Sequence, residues 1–275
     1  YKSARPFTTC VPETADPVCV WRLVTPRVEE TYPPITLGMT AERVAAEYGV
    51  SREDQDSFAL ESHRRAVEAT EQGRFKDEIE PIEAPSDARG RSTISIESDE
   101  GPRPDTSLEA LAGLRPVFME GGTVTAGNSS PMNDGAAALL LATEEGLERL
   151  GLEPRARIVS SAAAGVHPDL MGIGPVPATR KALDRAGIGV DDLDRIELNE
   201  AFASQTVASM RELGLQHERV NVNGGAIAIG HPLGASGARI LVTLLNTLEQ
   251  SNGRYGLATM CIGVGQGIAT IVERV

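Results

Sequence analysis

Residues 223–239 read NGGAIAIGHPLGASGAR. Five glycines and a proline crowd around His231, one of only four histidines in the chain. So much glycine is a costly way to build either a helix or a strand. The residues just before, at 219–223, read as a short strand, and ASGARILVTLLNTLEQ (235–250) reads as a strong helix. Gly224 and Gly225 permit backbone geometry closed to other residues, and Pro232 suits the start of a helix that continues through Ile240 and Leu244. His231 is therefore expected at the end of a tight loop, beside a helix N-terminus. The positive end of that helix favours a neutral imidazole or a nearby anion, and the glycines let a substrate or another loop approach the ring.

Strands and helices alternate around this stretch. ATRKALDRAG (178–187) forms an amphipathic helix ended by Gly187, 195–198 a strand, and AFASQTVASMRELG (201–214) a helix. GRYGLATMCIGVGQGIATIVERV ends the sequence as two β-rich runs joined by glycines, and Arg155–Ala164 supplies another strand-like run. This alternation predicts an α/β layered domain over 151–275. Upstream, Thr40 is placed to cap AERVAAEYG, which Gly49 closes. Ser51 heads a longer helix with Glu53 and Asp54 in its first turn and Gly73 at its end. Phe58, Ala59, Ala66 and Val67 share one face of it, leaving a charged face to solvent. Residues 75–115 are acidic with short β-like runs and read as an inserted, lid-like layer. Thr123–Leu150 has a β-prone start, a polar turn and an apolar, alanine-rich stretch suited to helix or strand. Prolines at 6, 12, 17, 26, 33 and 34 disfavour helices in residues 1–38.

Composition narrows the function. The chain has 275 residues, 41% hydrophobic and 24% charged, enough for one large or two smaller cores. A formal net charge of −13 argues against a nucleic-acid or anionic-membrane surface. No apolar run approaches the roughly 20 residues of a membrane span. Three cysteines, Cys10, Cys19 and Cys261, leave at least one free thiol, which suits a reducing compartment such as the cytoplasm. The N-terminus has neither an initiator Met nor a leader-like apolar region and reads as the middle of a longer sequence.

Three loops carry candidate chemistry. Asn199-Glu200-Ala201-Phe202 follows a strand and precedes a helix; Asn199 there can be an N-cap or a site residue. His231 stands in the second loop. In the third, Cys261 ends an apolar strand and meets Gly263, Gly265 and Gly267, whose backbone N–H groups can face a developing oxyanion. The final glycine of a dinucleotide fingerprint is missing from Gly263-Val264-Gly265-Gln266-Gly267-Ile268, and too little chain follows for the required helix and strand. Gly234-Ala235-Ser236-Gly237 is not a hydrolase elbow, and no Cys or His pair has zinc spacing, so no metal is expected. Imidazole plus thiol suits a cysteine protease, a transferase or a redox enzyme; spacing does not choose among them.

The motifs themselves resemble the thiolase family. Asn221-x-x-Gly224-Gly225-x-Ile227-Ala228-x-Gly230-His231-Pro232-x-Gly234-x-Ser236-Gly237 resembles its second signature at every fixed position. The run from Gly256 through Cys261, Gly263, Gly265 and Gly267 resembles the third, and Asn199-Glu-Ala-Phe its intervening loop. GMTAERVAAEYGVSREDQDSFALESHRRA is similar to the family's loop domain and TVTAGNSSPMNDGAAA to the segment returning from it. The resemblance runs from about Gly38 to the C-terminus. It implies a layered α/β/α fold: a loop domain with a proline-rich lead-in (1–122), a remnant of an N-terminal core domain (123–150) and a C-terminal core domain (151–275).

The implied chemistry is CoA-dependent acyl transfer, as thiolytic cleavage of a 3-ketoacyl-CoA or the reverse Claisen condensation. CoA and acyl-CoA enter as substrates, with no permanently bound cofactor. By resemblance, His231 activates a nucleophilic cysteine and, with a water held by Asn199, faces the thioester oxygen. Cys261 is the acid/base, and the Gly263 N–H serves a second oxyanion site. Ser130, Ala126 and Phe118 fall where the family contacts the pantetheine arm, with Phe202 near the acyl pocket. Neither Cys10 nor Cys19 has the context of the family's nucleophile. That group is therefore expected from a segment or chain beyond this one, most of the N-terminal core being absent from the sequence. Thr36-Leu37 stand where some short-chain biosynthetic thiolases have His-Met, so acyl chain length stays open. A homodimer or tetramer is expected by family habit. The alternative is a non-catalytic, thiolase-like subunit that binds acyl-CoA or acts as a scaffold; the retained His231 and Cys261 speak against it.

Overall fold

The computed structural model describes residues 26–32, 34–86 and 92–275. Cys10, Cys19 and most of the proline-rich lead-in lie outside them. Three helices come first: α1 (Pro26–Thr31), α2 (Leu37–Glu47) and α3 (Arg52–Glu71). Proline does not exclude the first of these, because Pro26 occupies its opening position, where no N–H is needed. The cap of α2 is Thr36 rather than Thr40: the Thr36 side chain accepts the Met39 N–H, while Thr40 lies inside and donates back to the Leu37 carbonyl. Helix α3 starts as its sequence predicts, with a reciprocal capping box between Ser51 and Asp54. Its inward face is more polar than expected, burying Gln55, Asp56, Ser62 and His63 beside Phe58, Ala59 and Ala66.

A hairpin of β1 (Ile82–Pro85) and β2 (Thr93–Ile96) follows, antiparallel, and then α4 (Leu108–Ala112). The return segment is held by α2 and α3. Glu42 accepts the N–H groups of Thr123 and Val124, and Asn128 donates to both Asp56 and the Thr123 carbonyl. The alanine-rich stretch 135–142, expected as helix or strand, is neither. Leu140 and Leu141 are 76% and 73% exposed, and a strand needs a neighbouring ladder that no described residue provides. Regular structure resumes at α5 (Glu144–Leu150).

The remaining chain builds the sheet: β3 (Ala156–Gly165), α6 (Pro175–Ala186), β4 (Arg195–Leu198), α7 (Ala203–Leu213), α8 (Ala226–Ile229), α9 (Ser236–Ser251), β5 (Tyr255–Ile262) and β6 (Gln266–Arg274). The strand order is β3-β6-β5-β4, antiparallel except for the parallel β4–β5 pair. The predicted strand at 219–223 is reduced to a single bridge between Val220 and Ile196. It stops there because Asn221 turns to φ 46 and uses its side chain, not its backbone, on Leu198.

Alternation along the strands sorts the layers. Leu257, Ala269 and Ile271 join the core with Ala178, Ala182 and Leu183 of α6 and Ala203 and Ala208 of α7. Ala258 and Val272 face Ile240, Leu244 and Leu248 of α9. The sheet is thus covered on both faces, an α/β/α sandwich. Cys261 falls on the α6–α7 side by the same period of two.

Close approach fixes the last hairpin. A Cβ on Gly267 would lie 2.1 Å from the backbone carbon of Gly174 and 2.7 Å from the Pro175 nitrogen. Neither backbone atom can yield cheaply. We predict that Gly267→Ala costs the protein about 2–3 kcal/mol, an overpacking penalty. Gly234→Ala, with nothing within 4 Å of the new carbon, stays within about 0.5 kcal/mol of the parent. Urea denaturation of the two variants checks the contrast.

Candidate active site

Three chain ends meet at one edge of the sheet. Strand β4 ends at Leu198, so the next residue, Asn199, leaves the ladder with its N–H donated to the Thr259 carbonyl (3.0 Å). Its own carbonyl accepts from Gln205 Nε2, which pins the loop to the first turn of α7. The Asn199 Nδ2 lies 3.3 Å from Nε2 of His231. On the ring's other side, His231 Nδ1 lies 2.7 Å from the Ser236 Oγ.

These contacts fit one tautomer. With the Ser236 hydroxyl donating to the Pro232 carbonyl at 2.9 Å, its oxygen is left to accept from His231, which places the proton on Nδ1. Nε2 is then a lone pair facing Asn199. Burial, reinforced by the Arg239 guanidinium, lowers the imidazole to about 4. The ring is neutral at physiological pH, as the helix-start position predicts. Ser236 was not among the site residues expected from sequence, although its place five residues after His231 in a fixed motif was a usable signal.

Cys261 is buried in a small apolar cluster with Met171 and Ala201, against Leu37 and Phe202. Burial pushes its thiol up to about 12. Phe202 meets Phe118 edge to face at 6.2 Å, and the Ser130 N–H and hydroxyl both reach the Ala201 carbonyl. Gly263 stands in the β5–β6 turn beside Leu37, 3.8 Å from where its Cβ would be. The residues singled out from sequence therefore gather in two linked groups, His231 with Asn199 and Cys261 with Phe202, Phe118 and Ser130. Ala126 is exposed, in the turn closed by Asn128. Among the described residues no group of His, Cys, Asp or Glu is placed to hold a metal ion.

Gly224 and Gly225, before His231, face protein rather than open space. A Cβ on Gly224 (φ 79) would lie 2.6 Å from the Ser62 carbonyl of α3, and one on Gly225 2.3 Å from the Glu200 carboxyl. They make room for protein, the second of the two options that glycine density leaves open.

Residues 19–145 match the family model described as thiolase, N-terminal domain, and residues 152–274 match thiolase, C-terminal domain. The chain belongs to the thiolase family. It is 57% identical over 258 residues to the beta-ketoadipyl-CoA thiolase of Pseudomonas aeruginosa, covering 93% of this chain and 63% of that relative. It is 52% identical to the 3-oxoadipyl-CoA/3-oxo-5,6-dehydrosuberyl-CoA thiolase of Escherichia coli, covering 96% and 66%. The fold superposes on the crystal structure of the Bacillus anthracis acetyl-CoA acetyltransferase with a TM-score of 0.85 at 46% identity, over 88% of this chain and 60% of that one. The thiolase chain thus spans somewhat under two thirds of the length of these relatives.

A second electrostatic centre lies behind the site. Glu197 of β4 is buried, its carboxyl 3.5 Å from Arg239, and burial raises it to about 8. Glu78 is likewise raised to about 7 by burial. A carboxyl raised on folding takes up protons as the chain folds, so stability is lost as pH rises from the unfolded value through the folded one. We predict that the parent loses stability between about pH 4.5 and pH 8 and that Glu197→Gln loses less over the same window, read by urea denaturation at each pH. His231 runs the other way: its folded value is depressed, so its term is lost as pH falls from about 6.5 towards 4. Nitrogen-resolved NMR is expected to show His231 in the Nδ1–H form with a midpoint near 4. A midpoint near 6.5 would contradict the burial argument.

Proposed function

We propose that the protein containing this chain is a thiolase-type acyltransferase, running CoA-dependent cleavage of a 3-ketoacyl-CoA or the reverse condensation. The observation that carries it is the His231 ring held between Ser236 Oγ at Nδ1 and Asn199 Nδ2 at Nε2, an arrangement that fits a neutral imidazole with its lone pair on Nε2. Such a nitrogen can take a proton from a thiol at physiological pH, which an imidazolium cannot.

In the cleavage direction, Nε2 takes the proton of a nucleophilic cysteine supplied from beyond the described residues, and the thiolate adds to the 3-keto carbon. The bond to the α-carbon breaks, and the Cys261 thiol gives its proton to the departing enolate. Acetyl-CoA leaves; a second CoA thiol gives its proton to the Cys261 thiolate and takes the acyl group, and the released cysteine thiolate recovers its proton from His231. In condensation the Cys261 thiolate removes the α-proton of acetyl-CoA. Its raised basicity suits that task, because a thioester α-carbon is a weak acid. The enolate oxygen needs a hydrogen-bond donor as much as the carbon needs a base; we assign the thioester oxygen to the site of His231 and Asn199, with the water on Asn199 donating, and the Gly263 N–H to a second oxyanion site. Asn199 Oδ1 is buried without a hydrogen-bond partner among the described residues, which supports a role in holding that water.

Phe118, Phe202, Ser130 and Ala126 are assigned to the acyl and pantetheine path. The names of the relatives from Pseudomonas aeruginosa and Escherichia coli favour a 3-ketoacyl-CoA with a second carboxylate, and others 54–56% identical are 3-ketoacyl-CoA thiolases and an acetyl-CoA acetyltransferase. We take the substrate class as 3-ketoacyl-CoA. A homo-oligomer working in the cytoplasm accords with the family and with a free buried thiol. Among the described residues no helix is long and apolar enough to cross a membrane.

The test uses the complete protein. His231→Ala is expected to lower kcat by about 10²–10⁴-fold, the usual worth of a general base. Cys261→Ala is expected to stop turnover while still forming a covalent acyl thioester when given acetyl-CoA, read by intact mass. Full turnover by Cys261→Ala, or no thioester on the parent, overturns the reading.

A further inference from the structure

We infer that Glu200, which the proposed chemistry does not use, is a positioning residue: its carboxylate ties α3 to both loops of the site and sets the geometry of Asn199 against His231. The kinetic part of its test rests on the thiolase reading; the spectroscopic part does not.

Glu200 is 1% exposed, yet each of its oxygens is satisfied. The Ser62 hydroxyl of α3 donates to Oε2 at 2.7 Å, the Ile227 N–H donates to the same oxygen at 3.1 Å, and Asn221 Nδ2 donates to Oε1 at 2.8 Å. Ser62 Oγ in turn accepts the Gly225 N–H at 3.1 Å. All the groups around the carboxylate are donors, so the arrangement is built for the ionised form. Burial pulls the group up, and the Ser62, Asn221 and Ile227 donors oppose it.

What this carboxylate joins is specific. On one side it follows Asn199 in the chain. On the other, Ile227 belongs to α8, which ends at Ile229 and is capped by Gly230, the residue before His231. Asn221 also brackets the end of β4, accepting from the Leu198 N–H and donating to the Leu198 carbonyl. The absence of a Cβ at Gly225 lets that loop close on the carboxylate itself. One buried carboxyl thus holds both partners of the 3.3 Å Asn199–His231 contact, and Ser62 is its link to α3. A catalytic pair held by supporting hydrogen bonds loses rate steeply when the support shifts by about an ångström.

Glu200→Gln keeps the shape but puts an amide N–H₂ against donors. Ser62→Ala removes one donor to Glu200 and the acceptor of Gly225. In the complete protein we expect Glu200→Gln to melt cooperatively, to lower kcat by about 30-fold and to leave KM within about twofold. We expect its His231 nitrogen signals to move towards a mixture of tautomers, with Ser62→Ala intermediate. A merely structural role would lower the melting temperature and leave those signals alone. Unchanged His231 signals in a folded Glu200→Gln overturn the inference whatever the activity. If that variant does not fold, unchanged signals in Ser62→Ala overturn it. Moved signals in Glu200→Gln, with no acyl-transfer activity in the parent, support the inference and reject the thiolase reading instead.

Discussion

An imidazole that must act as a base inside a protein needs both nitrogens committed, one to a fixed acceptor and one to the reaction. The surroundings of His231 meet both conditions, which is what the proposal for it rests on. Ser236 takes the Nδ1 proton because its own hydroxyl is already spent on the Pro232 carbonyl at the entry to α9. Asn199 meets Nε2 because β4 ends one residue earlier and the Asn199 N–H is donated to the Thr259 carbonyl of β5. Neither partner belongs to the sheet: one is positioned by where it stops, the other by the start of α9. Helix α3 closes the arrangement from outside: Ser62 reaches the Glu200 carboxylate, and Arg65 donates to the carbonyls of His217 and Val220, which end the neighbouring turn.

Burial does opposite things to the groups nearby, and together these suit acid–base work. The imidazole is pushed to its neutral, basic form, and the Cys261 thiol to its protonated form. Arg239 deepens the first effect while partly opposing the rise of Glu197 on its other side. A guanidinium at the start of α9 therefore links the histidine's charge state to a carboxyl on β4 that no substrate would touch.

Much of this was legible in the residues. The layered α/β half follows from alternating patterns, and β4, α9 and the start of α3 lie where capping and periodicity put them. His231, Asn199, Cys261 and Phe202 were singled out from three motifs, and Phe118 from the family resemblance alone. What could not be read was tertiary in origin. Thr40 looks as good a cap as Thr36, and only the chain's path before Leu37 decides between them. The run at 135–142 has strand chemistry but no described neighbour to pair with. The glycines before His231 do leave space, but sequence cannot say for what; α3 and a carboxylate fill it. Polar residues on α3 look like solvent-facing ones until their partners, 138 and 163 residues away in the case of Ser62, come into view.

The hairpin of β5 and β6 carries one further consequence. Cys261 sits opposite Gly267, and the turn between the strands passes through Val264 and Gly265, both with positive φ. A β-branched residue tolerates that backbone only under constraint, and here the turn is anchored by the Gly265 carbonyl accepting the Val166 N–H. Side chains on a strand change face with every step, and β5 is pinned by its pairing with β4, so adding or removing one residue in this turn would displace β6 by one place and exchange its two faces. What lies opposite the thiol is thus encoded in the length of a three-residue loop, which makes insertions and deletions there a harsher change than most substitutions of the residues it presents.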